Sequence, residues 1–184
     1  MKDIVGTHAN DRRVLAWEVW NEPLKDRVPF ELVEASFQWA REARPAQPVT
    51  ATVYGGARME ELVSKCSDIV SFHNYSPAAN LEAEIKKRLA GGRPVLCTEW
   101  LFRPYASIPA TCLAVFAKYR VAALHWGFVN GKTQTHIHMR PTGKPATLWQ
   151  HDILRQDHTP YGENEIAIFK EAIHNSSAVK EDRQ

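Results

Sequence analysis

Two carboxylates, each near the end of an apolar run, are the residues of this chain best suited to chemistry. Glu22 ends the run VLAWEVWNE at residues 14–22, and Glu99 lies near the end of PVLCTEW at residues 94–100. A carboxylic acid and a carboxylate on either side of a sugar are the minimum needed to cleave a glycosidic bond, since one protonates the leaving oxygen and the other attacks the anomeric carbon. In a retaining mechanism the two carboxyl groups are expected about 5 to 5.5 Å apart.

The surroundings of both glutamates strengthen this interpretation. Alone, an Asn-Glu-Pro sequence can close any strand, and a glutamate next to a tryptophan can be a solvated strand end. Both runs, however, have the length and the Val, Leu and Trp content of strands buried on both faces of a parallel sheet. An ionised carboxylate at the end of such a strand needs water, a partner or a function. Glu22 and Glu99 are therefore the candidate catalytic pair.

Strand and helix patterns alternate along the chain, which predicts an α/β fold. Strands are predicted at 14–21, 49–54, 68–75, 94–100 and 121–129, and helices at 29–44, 59–66, 80–89, 107–120 and 165–174. Asn80 is expected to cap the helix that begins there, and Gly91 and Gly92 to follow its end. Residues 1–175 are assigned to one domain and residues 176–184 to a disordered tail.

Strict alternation of strands and helices means a parallel sheet, either doubly wound or part of a (β/α)₈ barrel. A doubly wound nucleotide-binding sheet needs a glycine-rich turn after an early strand, and the glycine pairs of this chain do not form one. A barrel instead collects catalytic groups at the C-terminal ends of several strands. The polar residues at predicted strand ends favour the barrel; they are Asn21, Glu22, His73, Tyr75, Glu99 and Trp126.

The composition argues against several other classes of protein. The net charge is +2 and 24% of the residues are charged, which gives no basic face of the kind that nucleic acid requires. No apolar run approaches the roughly 18 residues of a membrane span, so a soluble chain is expected. The first residues lack the apolar core of a signal peptide, so a cytoplasmic location is expected for the chain as given, with secretion left open if the N-terminus is truncated. Cys66, Cys97 and Cys112 are odd in number and lie in apolar segments, so free thiols are expected.

The strand-end motifs resemble those of the retaining β-glycosidases of clan A, and most closely the cellulase-like endoglucanases, mannanases and xylanases. The resemblance covers roughly residues 3–174. WNEP at 20–23 looks like the clan's fourth-strand signature, SFHNY at 71–75 like its sixth-strand H-x-Y motif, TEW at 98–100 like its nucleophile motif and HWGF at 125–128 like its eighth-strand sugar platform. Glu99 lies 77 residues after Glu22, which gives about 26 residues per strand-helix unit and fits a barrel with compact loops.

The resemblance implies a role for each matching residue. Glu22 would be the acid/base and Glu99 the nucleophile, while Tyr75 would donate a hydrogen bond that favours the ionised form of Glu99. Implied substrate-binding residues are Asn21, which would bind the sugar 2-hydroxyl, His73, Trp126, Trp100 and Trp149, with Trp20 as an alternative platform. His73 could equally be a strand-end histidine satisfied by the protein. The implied activity is retaining hydrolysis of β-linked glycans or oligosaccharides without a cofactor.

One departure from the clan's pattern is that five strands are visible where the barrel has eight. The chain resembles strands four to eight, and it lacks counterparts of the first three, which in relatives supply an Arg and a His to the site. A sheet of five strands leaves two long apolar edges, at 14–21 and 123–129, so self-association as a homodimer is expected. The alternative function is a carbohydrate-binding or catalytically inactive part of a barrel.

Two further groups of residues have types that could do chemistry, but no catalytic role is expected for them. A transition metal could bind at the cluster formed by His136, His138, His151, Asp152 and His158. The sequence at 149–165, however, resembles a loop of cellulase-like relatives that needs no metal, and none is expected. Glu18 shares side-chain parity with Glu22 along the first strand, and it is expected to form a structural ion pair rather than to act in catalysis.

Overall fold

The structure is a computed structural model that describes residues 1–24, 27–132, 135–136 and 148–181, with the backbone alone from 176 to 181. Five strands alternate with helices, as the sequence predicts. The helices are α1 (Lys2–Thr7), α2 (Phe30–Glu42), α3 (Ala57–Cys66), α4 (Ala78–Leu89), α5 (Pro109–Tyr119) and α6 (Glu165–Glu181). The strands are β1 (Trp17–Glu18), β2 (Val49–Thr50), β3 (Val70–His73), β4 (Val95–Glu99) and β5 (Ala122–Ala123), and a 3-10 turn spans Arg103–Tyr105.

Residue contacts divide the chain into two compact units whose sequences interleave. The first unit comprises Met1–His73 and Arg88–Leu96, and the second comprises Asn74–Lys87 and Cys97–Gln184. The chain passes between the units after β3, within α4 and within β4. Each unit contains one of the two candidate glutamates, Glu22 in the first and Glu99 in the second.

In the first unit, parallel strands follow one another in sequence order. β1 pairs with β2 in the register Trp17 to Val49 and Glu18 to Thr50, and a parallel bridge joins Thr52 to Ser71. The N–H of Val70 donates to the carbonyl of Pro94 at 2.9 Å, which places β3 beside the start of β4. This order puts the C-terminal ends of β1, β2 and β3 on one edge, where barrel enzymes carry their functional groups.

The helices of the first unit bury apolar stripes with the spacing of an α-helix. In α2 the buried apolar positions are Val33, Phe37 and Ala40, all at most 2% exposed, and their spacing of four and three residues places them on one helix face. The helix begins after Pro29, which is its N-cap. In α3, Met59 and Val63 are fully buried. These side chains form the core of the first unit with the strand residues Val49, Ala51, Val53, Val70 and Phe72.

In the second unit the end of β4 lies between two segments. Asn74 donates its N–H to the carbonyl of Glu99 at 3.0 Å, and Leu124 donates its N–H to the carbonyl of Cys97 at 2.8 Å. Helix α5 begins with Pro109, whose fixed φ suits the first helical position. It ends at Tyr119, and its C-cap Arg120 adopts the left-handed conformation with φ of 54°. Both bounds agree closely with the prediction.

Three details differ from the sequence prediction. The paired strands are shorter than predicted, because ladder hydrogen bonds cover only part of each apolar run. Helix α4 begins at Ala78, since the N–H groups of Asn80 and Leu81 both donate to the carbonyl of Pro77, so Asn80 lies inside the first turn and is not the cap. Helix α6 continues to Glu181, beyond the predicted end at 174. The assignments of residues 1–175 to one domain and of 176–184 to a disordered tail stay predictions.

Two general expectations can be compared with the described residues. No helix among them has the length and apolar character needed to cross a membrane. Cys66, Cys97 and Cys112 are all free thiols, as predicted. Burial raises the pKa of the Cys97 thiol well above its ordinary value, which indicates a structural residue rather than a reactive one.

Candidate active site

Glu22 in the first unit is held by a histidine from the end of β3. Oε1 of Glu22 lies 2.7 Å from Nδ1 of His73, whose side chain is 3% exposed while that of Glu22 is 33% exposed. The backbone of Glu22 has a φ of 45°, a conformation that is uncommon outside glycine and concentrates at functional sites. The carboxylate is thus fixed on its buried side and open to solvent on the other.

Behind His73 lies a second carboxylate, that of Glu18. Its Oε1 accepts hydrogen bonds from the hydroxyl of Thr52 and from the hydroxyl of Ser71, the latter at 3.2 Å. The Thr52 hydroxyl oxygen also lies 3.5 Å from Nε2 of His73. Within the described residues no basic side chain forms an ion pair with Glu18, so the expected ion pair is replaced by two hydroxyl groups on neighbouring strands.

Glu99 in the second unit is held by a tyrosine. The Tyr75 hydroxyl donates to Oε2 of Glu99 at 2.5 Å, so the hydrogen bond predicted between these residues is confirmed. A phenol that donates to a carboxylate favours its ionised form. The backbone of Glu99 is also fixed, because its carbonyl accepts from the N–H of Asn74 and from the thiol of Cys97 at 3.3 Å.

Aromatic rings fix Tyr75 in this orientation. The rings of Phe102 and His151 pack against it edge-on, with centroids 6.1 and 5.4 Å away. His151 is buried, and its Nδ1 lies 2.6 Å from the carbonyl of Leu101, a residue with φ of 78°. Burial lowers the pKa of His151 against the opposing effect of that carbonyl. The imidazole is therefore neutral at pH 7, and its Nδ1–H donates to Leu101.

The tryptophans predicted to bind sugar have different environments. Trp126 is 43% exposed and can offer its ring to a ligand. Trp149 is half-buried, and Tyr161 covers one face of its ring in a stacked arrangement at 4.6 Å. Trp100 is 1% exposed and packs against Phe116 at 5.3 Å. Because its ring is enclosed by the core of the second unit, Trp100 is a core residue and does not offer the expected platform.

The histidine cluster does not assemble as a metal site in the described part of the chain. His138 lies outside the described residues, and His158 is exposed. Asp152 is fully buried and accepts from the Thr135 hydroxyl at 2.6 Å, with Nδ1 of His136 3.5 Å from its other oxygen. Gly127 lies close to Asp152, and a Cβ at position 127 would be only 2.7 Å from Oδ1 of Asp152. The position therefore requires glycine. The described contacts of the Asp152 side chain are thus with protein groups, namely Thr135, His136 and the backbone at Gly127.

Sequence reasoning placed the two glutamates, His73 and Tyr75 at strand ends, and the structure gives each glutamate a partner from the HNY motif. It missed the involvement of Thr52 and Ser71. Their signal was present, because both are polar residues inside apolar strand runs and both have the parity of inward-facing positions. Asn21 is exposed beside Glu22. The role of each of these residues in binding or catalysis remains a proposal.

Comparison with known proteins gives a match of fold. No protein-family model matches the sequence, and no curated protein matches it with significance. Among solved structures, the β-glucuronidase of Faecalibacterium prausnitzii is similar with a TM-score of 0.69 and 14% identity, over 94% of this chain and 34% of that one. A glycoside hydrolase family 5 mannosidase from Rhizomucor miehei is similar with a TM-score of 0.61 and 14% identity, over 98% of this chain and 58% of that one.

A third similar structure is the β-glucuronidase of Ruminococcus gnavus in complex with D-glucuronic acid, with a TM-score of 0.63 and 15% identity, over 93% of this chain and 34% of that one. The chain therefore spans between about a third and three fifths of the length of these glycoside hydrolases. The matches show the fold class, an α/β chain of alternating parallel strands and helices that corresponds to part of a (β/α)₈ barrel. Identities this low show no more than the fold.

Proposed function

We propose that this chain is a retaining β-glycoside hydrolase in which Glu22 is the acid/base and Glu99 the nucleophile. The observation that carries the proposal is that each strand-end glutamate is bound by one residue of the HNY motif. Glu22 is 2.7 Å from His73, and Glu99 accepts from Tyr75 at 2.5 Å. His73 and Tyr75 are two residues apart in the sequence, which supports the action of both glutamates on one glycosidic bond.

The proposed reaction has two steps that use both carboxyl groups. In the first step the Glu99 carboxylate attacks the anomeric carbon, the bond to the leaving oxygen breaks, and Glu22 in its acid form donates a proton to that oxygen. In the second step the Glu22 carboxylate accepts a proton from water, and the water oxygen displaces Glu99 from the anomeric carbon. The product retains the β configuration, because the carbon is inverted twice.

The substrate class proposed is β-linked oligosaccharides or polysaccharides. Trp126 supports this, since an exposed indole beside a strand end offers an apolar face to the C–H groups of a sugar. We assign Asn21 to the sugar 2-hydroxyl, because an exposed amide next to Glu22 can donate to and accept from a hydroxyl. No step of the reaction calls for a metal ion or an organic cofactor.

We also propose that the chain acts as a homodimer. In the second unit Leu124 and Phe128 are 52% and 60% exposed, and in the first unit Leu15 is 71% exposed. Exposed apolar side chains of this kind at the edge of a sheet favour association with another chain. Light scattering after size-exclusion chromatography over a dilution series tests this proposal. A dimer is expected at low micromolar concentration, and a stable, well-folded monomer there would contradict it.

An activity screen tests the proposed function. The chain is assayed on p-nitrophenyl β-mannoside, β-glucoside and β-glucuronide and on soluble β-glucan and β-mannan, with the Glu22→Gln/Glu99→Gln double variant as the control for contaminating enzymes. Release of p-nitrophenol or reducing sugar by the wild type alone is expected. Saturable binding of a glycan without any turnover would instead support the alternative, a carbohydrate-binding part of a barrel. If the wild type shows no turnover and binds no glycan, both the hydrolase proposal and the carbohydrate-binding alternative are contradicted.

A further inference from the structure

A continuous chain of polar groups runs from Glu18 to Glu22 through the first unit. Glu18 accepts from the Thr52 hydroxyl, Thr52 lies 3.5 Å from Nε2 of His73, and Nδ1 of His73 lies 2.7 Å from Glu22. Ser71 supports the far end by donating to Glu18 at 3.2 Å. Thr52 and Ser71 are fully buried, so both hydroxyl groups depend on protein partners, while Glu18 itself is exposed.

The direction of each hydrogen bond follows from what each group can donate. An ionised carboxylate only accepts, so the single hydroxyl proton of Thr52 is committed to Glu18. The Thr52 oxygen then presents a lone pair to Nε2 of His73, 3.5 Å away, and this contact is favourable when Nε2 carries the proton. A lone pair on Nε2 in this position would face the lone pairs of the threonine oxygen.

We infer that Glu18 and Thr52 are positioning residues that fix the proton of His73 on Nε2 and so direct its Nδ1 to Glu22. In this arrangement one proton lies between Nδ1 and Oε1 of Glu22, because two lone pairs would repel each other at 2.7 Å. The inference rests on the proposed function for its catalytic meaning, since this shared proton is the one that Glu22 would pass to the leaving oxygen. Glu18 acts through Thr52 and His73 and touches no substrate.

This positioning role explains why a charged residue, Glu18, lies within an apolar run. A carboxylate at position 18 holds the hydroxyl of Thr52 in one orientation, and neither an amide nor an apolar residue at this position would do so in the same way. Fixing the tautomer in advance removes a reorganisation that the proton transfer would otherwise need. The hydroxyls of Thr52 and Ser71 belong to separate strand segments, so the ladder of the first unit also fixes the geometry.

Nuclear magnetic resonance of the imidazole nitrogens tests the inference without any substrate. In the wild type we expect Nε2 of His73 to carry the proton in the neutral form of the ring. In Thr52→Val, which removes the hydroxyl and keeps the shape, a mixture of the two tautomers is expected. A mixture is also expected in Glu18→Gln, where the amide NH2 can donate to the Thr52 oxygen and free the hydroxyl proton for His73. Thr52→Ser should restore the wild-type spectrum. A wild-type ring with its proton on Nδ1, or variants with an unchanged tautomer, would overturn the inference.

Kinetics provides the second measurement and uses the dependence on the leaving group. Thr52→Val and Glu18→Gln should lower kcat for alkyl or phenyl β-glycosides by about tenfold or more, because these need acid catalysis. The rate on a dinitrophenyl glycoside, which leaves without a proton, should change less than threefold, and KM should stay near the wild-type value. Thr111→Val is the matched control, since Thr111 is an exposed residue of α5 with no assigned role. Equal losses on both substrates would contradict a positioning role.

The two measurements separate this inference from the proposed function. If the wild type hydrolyses no β-glycoside, the proposed function fails and the tautomer alone decides whether the network acts as described. If the wild type is active and Thr52→Val does not fold, Glu18→Gln decides, because position 18 is exposed and tolerates an isosteric amide. Activity together with an unchanged tautomer in Glu18→Gln would retain the hydrolase and reject the network.

Discussion

The two candidate glutamates differ in the kind of partner that each unit gives them. In the first unit Glu22 faces the imidazole of His73, whose nitrogen can accept from a carboxylic acid or donate to a carboxylate, according to its tautomer. In the second unit Glu99 accepts a hydrogen bond from the phenol hydroxyl of Tyr75, and a donor favours the ionised carboxylate. An acid/base must change its protonation state twice in each cycle, whereas a nucleophile must stay ionised. The partners therefore match the roles proposed for the two residues.

The two glutamates also differ in backbone conformation. Glu99 is the last residue of the longest strand, with its carbonyl bound by Asn74. Glu22 lies after a two-residue strand and has a positive φ. A regular strand end fixes the direction of a nucleophile at no cost in strain, while a left-handed residue turns its side chain away from the strand direction and must be held by its surroundings. His73 and the groups behind it provide that support.

The largest effect is expected from removal of the nucleophile. Glu99→Ala should lower kcat by about 10⁴-fold or more, the scale on which covalent enzymes lose rate when the attacking group is removed. Added azide should restore turnover and give a glycosyl azide of inverted configuration, because the small anion enters the space of the lost carboxylate. Steady-state rates and product analysis check this. The exposed Glu171→Ala variant should keep the wild-type rate, and wild-type rates in Glu99→Ala would show that the nucleophile is misassigned.

Removal of the acid/base is expected to give an azide product of the opposite configuration to that from Glu99→Ala. Glu22→Ala should lose about 10² to 10⁴ in rate on glycosides with poor leaving groups. On dinitrophenyl glycosides azide should accelerate turnover and give a glycosyl azide of retained configuration. The measurement is again the rate together with the configuration of the azide. Azide products of the same configuration from Glu22→Ala and Glu99→Ala would contradict the division of roles between the two units.

A smaller effect is expected from the hydrogen bond to the nucleophile. Tyr75→Phe should reduce kcat/KM by roughly 10- to 100-fold, because a hydrogen bond to a charged group contributes about 1.5 to 3 kcal/mol. Tyr105→Phe is the matched control, as Tyr105 is 65% exposed. Steady-state kinetics of both variants check this. A loss below threefold in Tyr75→Phe would show that the Tyr75 bond does not support the reactive form of Glu99.

The smallest effect concerns the stability of the first unit, apart from its chemistry. Burial acts to raise the pKa of Asp68, but the hydrogen bonds from Arg41 and from the N–H of Val49 outweigh it, so this pKa is lowered below the ordinary 3.8. The carboxylate is about two fifths exposed, so Asp68→Asn should cost under about 1 kcal/mol.

A lowered pKa contributes stability above the unfolded value and loses it as the pH falls through the folded value. The difference between wild type and Asp68→Asn should therefore be largest at pH 7 and shrink below pH 4. Urea unfolding at pH 7 and pH 3 measures it. A difference that grows towards low pH would contradict the direction of the pKa shift.

Much of the fold could be predicted, because its signals are local. Buried strand runs, helical stripes such as Val33, Phe37 and Ala40, and the start of α5 at Pro109 are each specified within a few residues. The predicted cap at Asn80 is wrong because the carbonyl of Pro77 accepts the first helical hydrogen bonds. The type of residue at position 80 does not indicate where those bonds begin.

The candidate site was predictable only in part, since its partners come from separate strands. The bond from Tyr75 to Glu99 followed from the resemblance of two motifs. The contacts of Glu18 with Thr52 and Ser71 depend on the register of the strands, and register is set by packing over the whole unit. The burial of Trp100 could not be predicted for a similar reason. The sequence next to a glutamate is the same whether the tryptophan ring faces a ligand or packs against Phe116.

Covalent trapping tests the central claim most directly. The wild type is incubated with a 2-deoxy-2-fluoro β-glycosyl fluoride of the sugar that it hydrolyses fastest, and the labelled peptide is sequenced by mass spectrometry. The account predicts one fluorosugar per chain on Glu99, present in Glu22→Ala and absent in Glu99→Ala. A label on any other residue, or hydrolysis that releases the inverted anomer first and leaves the chain unlabelled, would contradict the retaining mechanism proposed for these two glutamates.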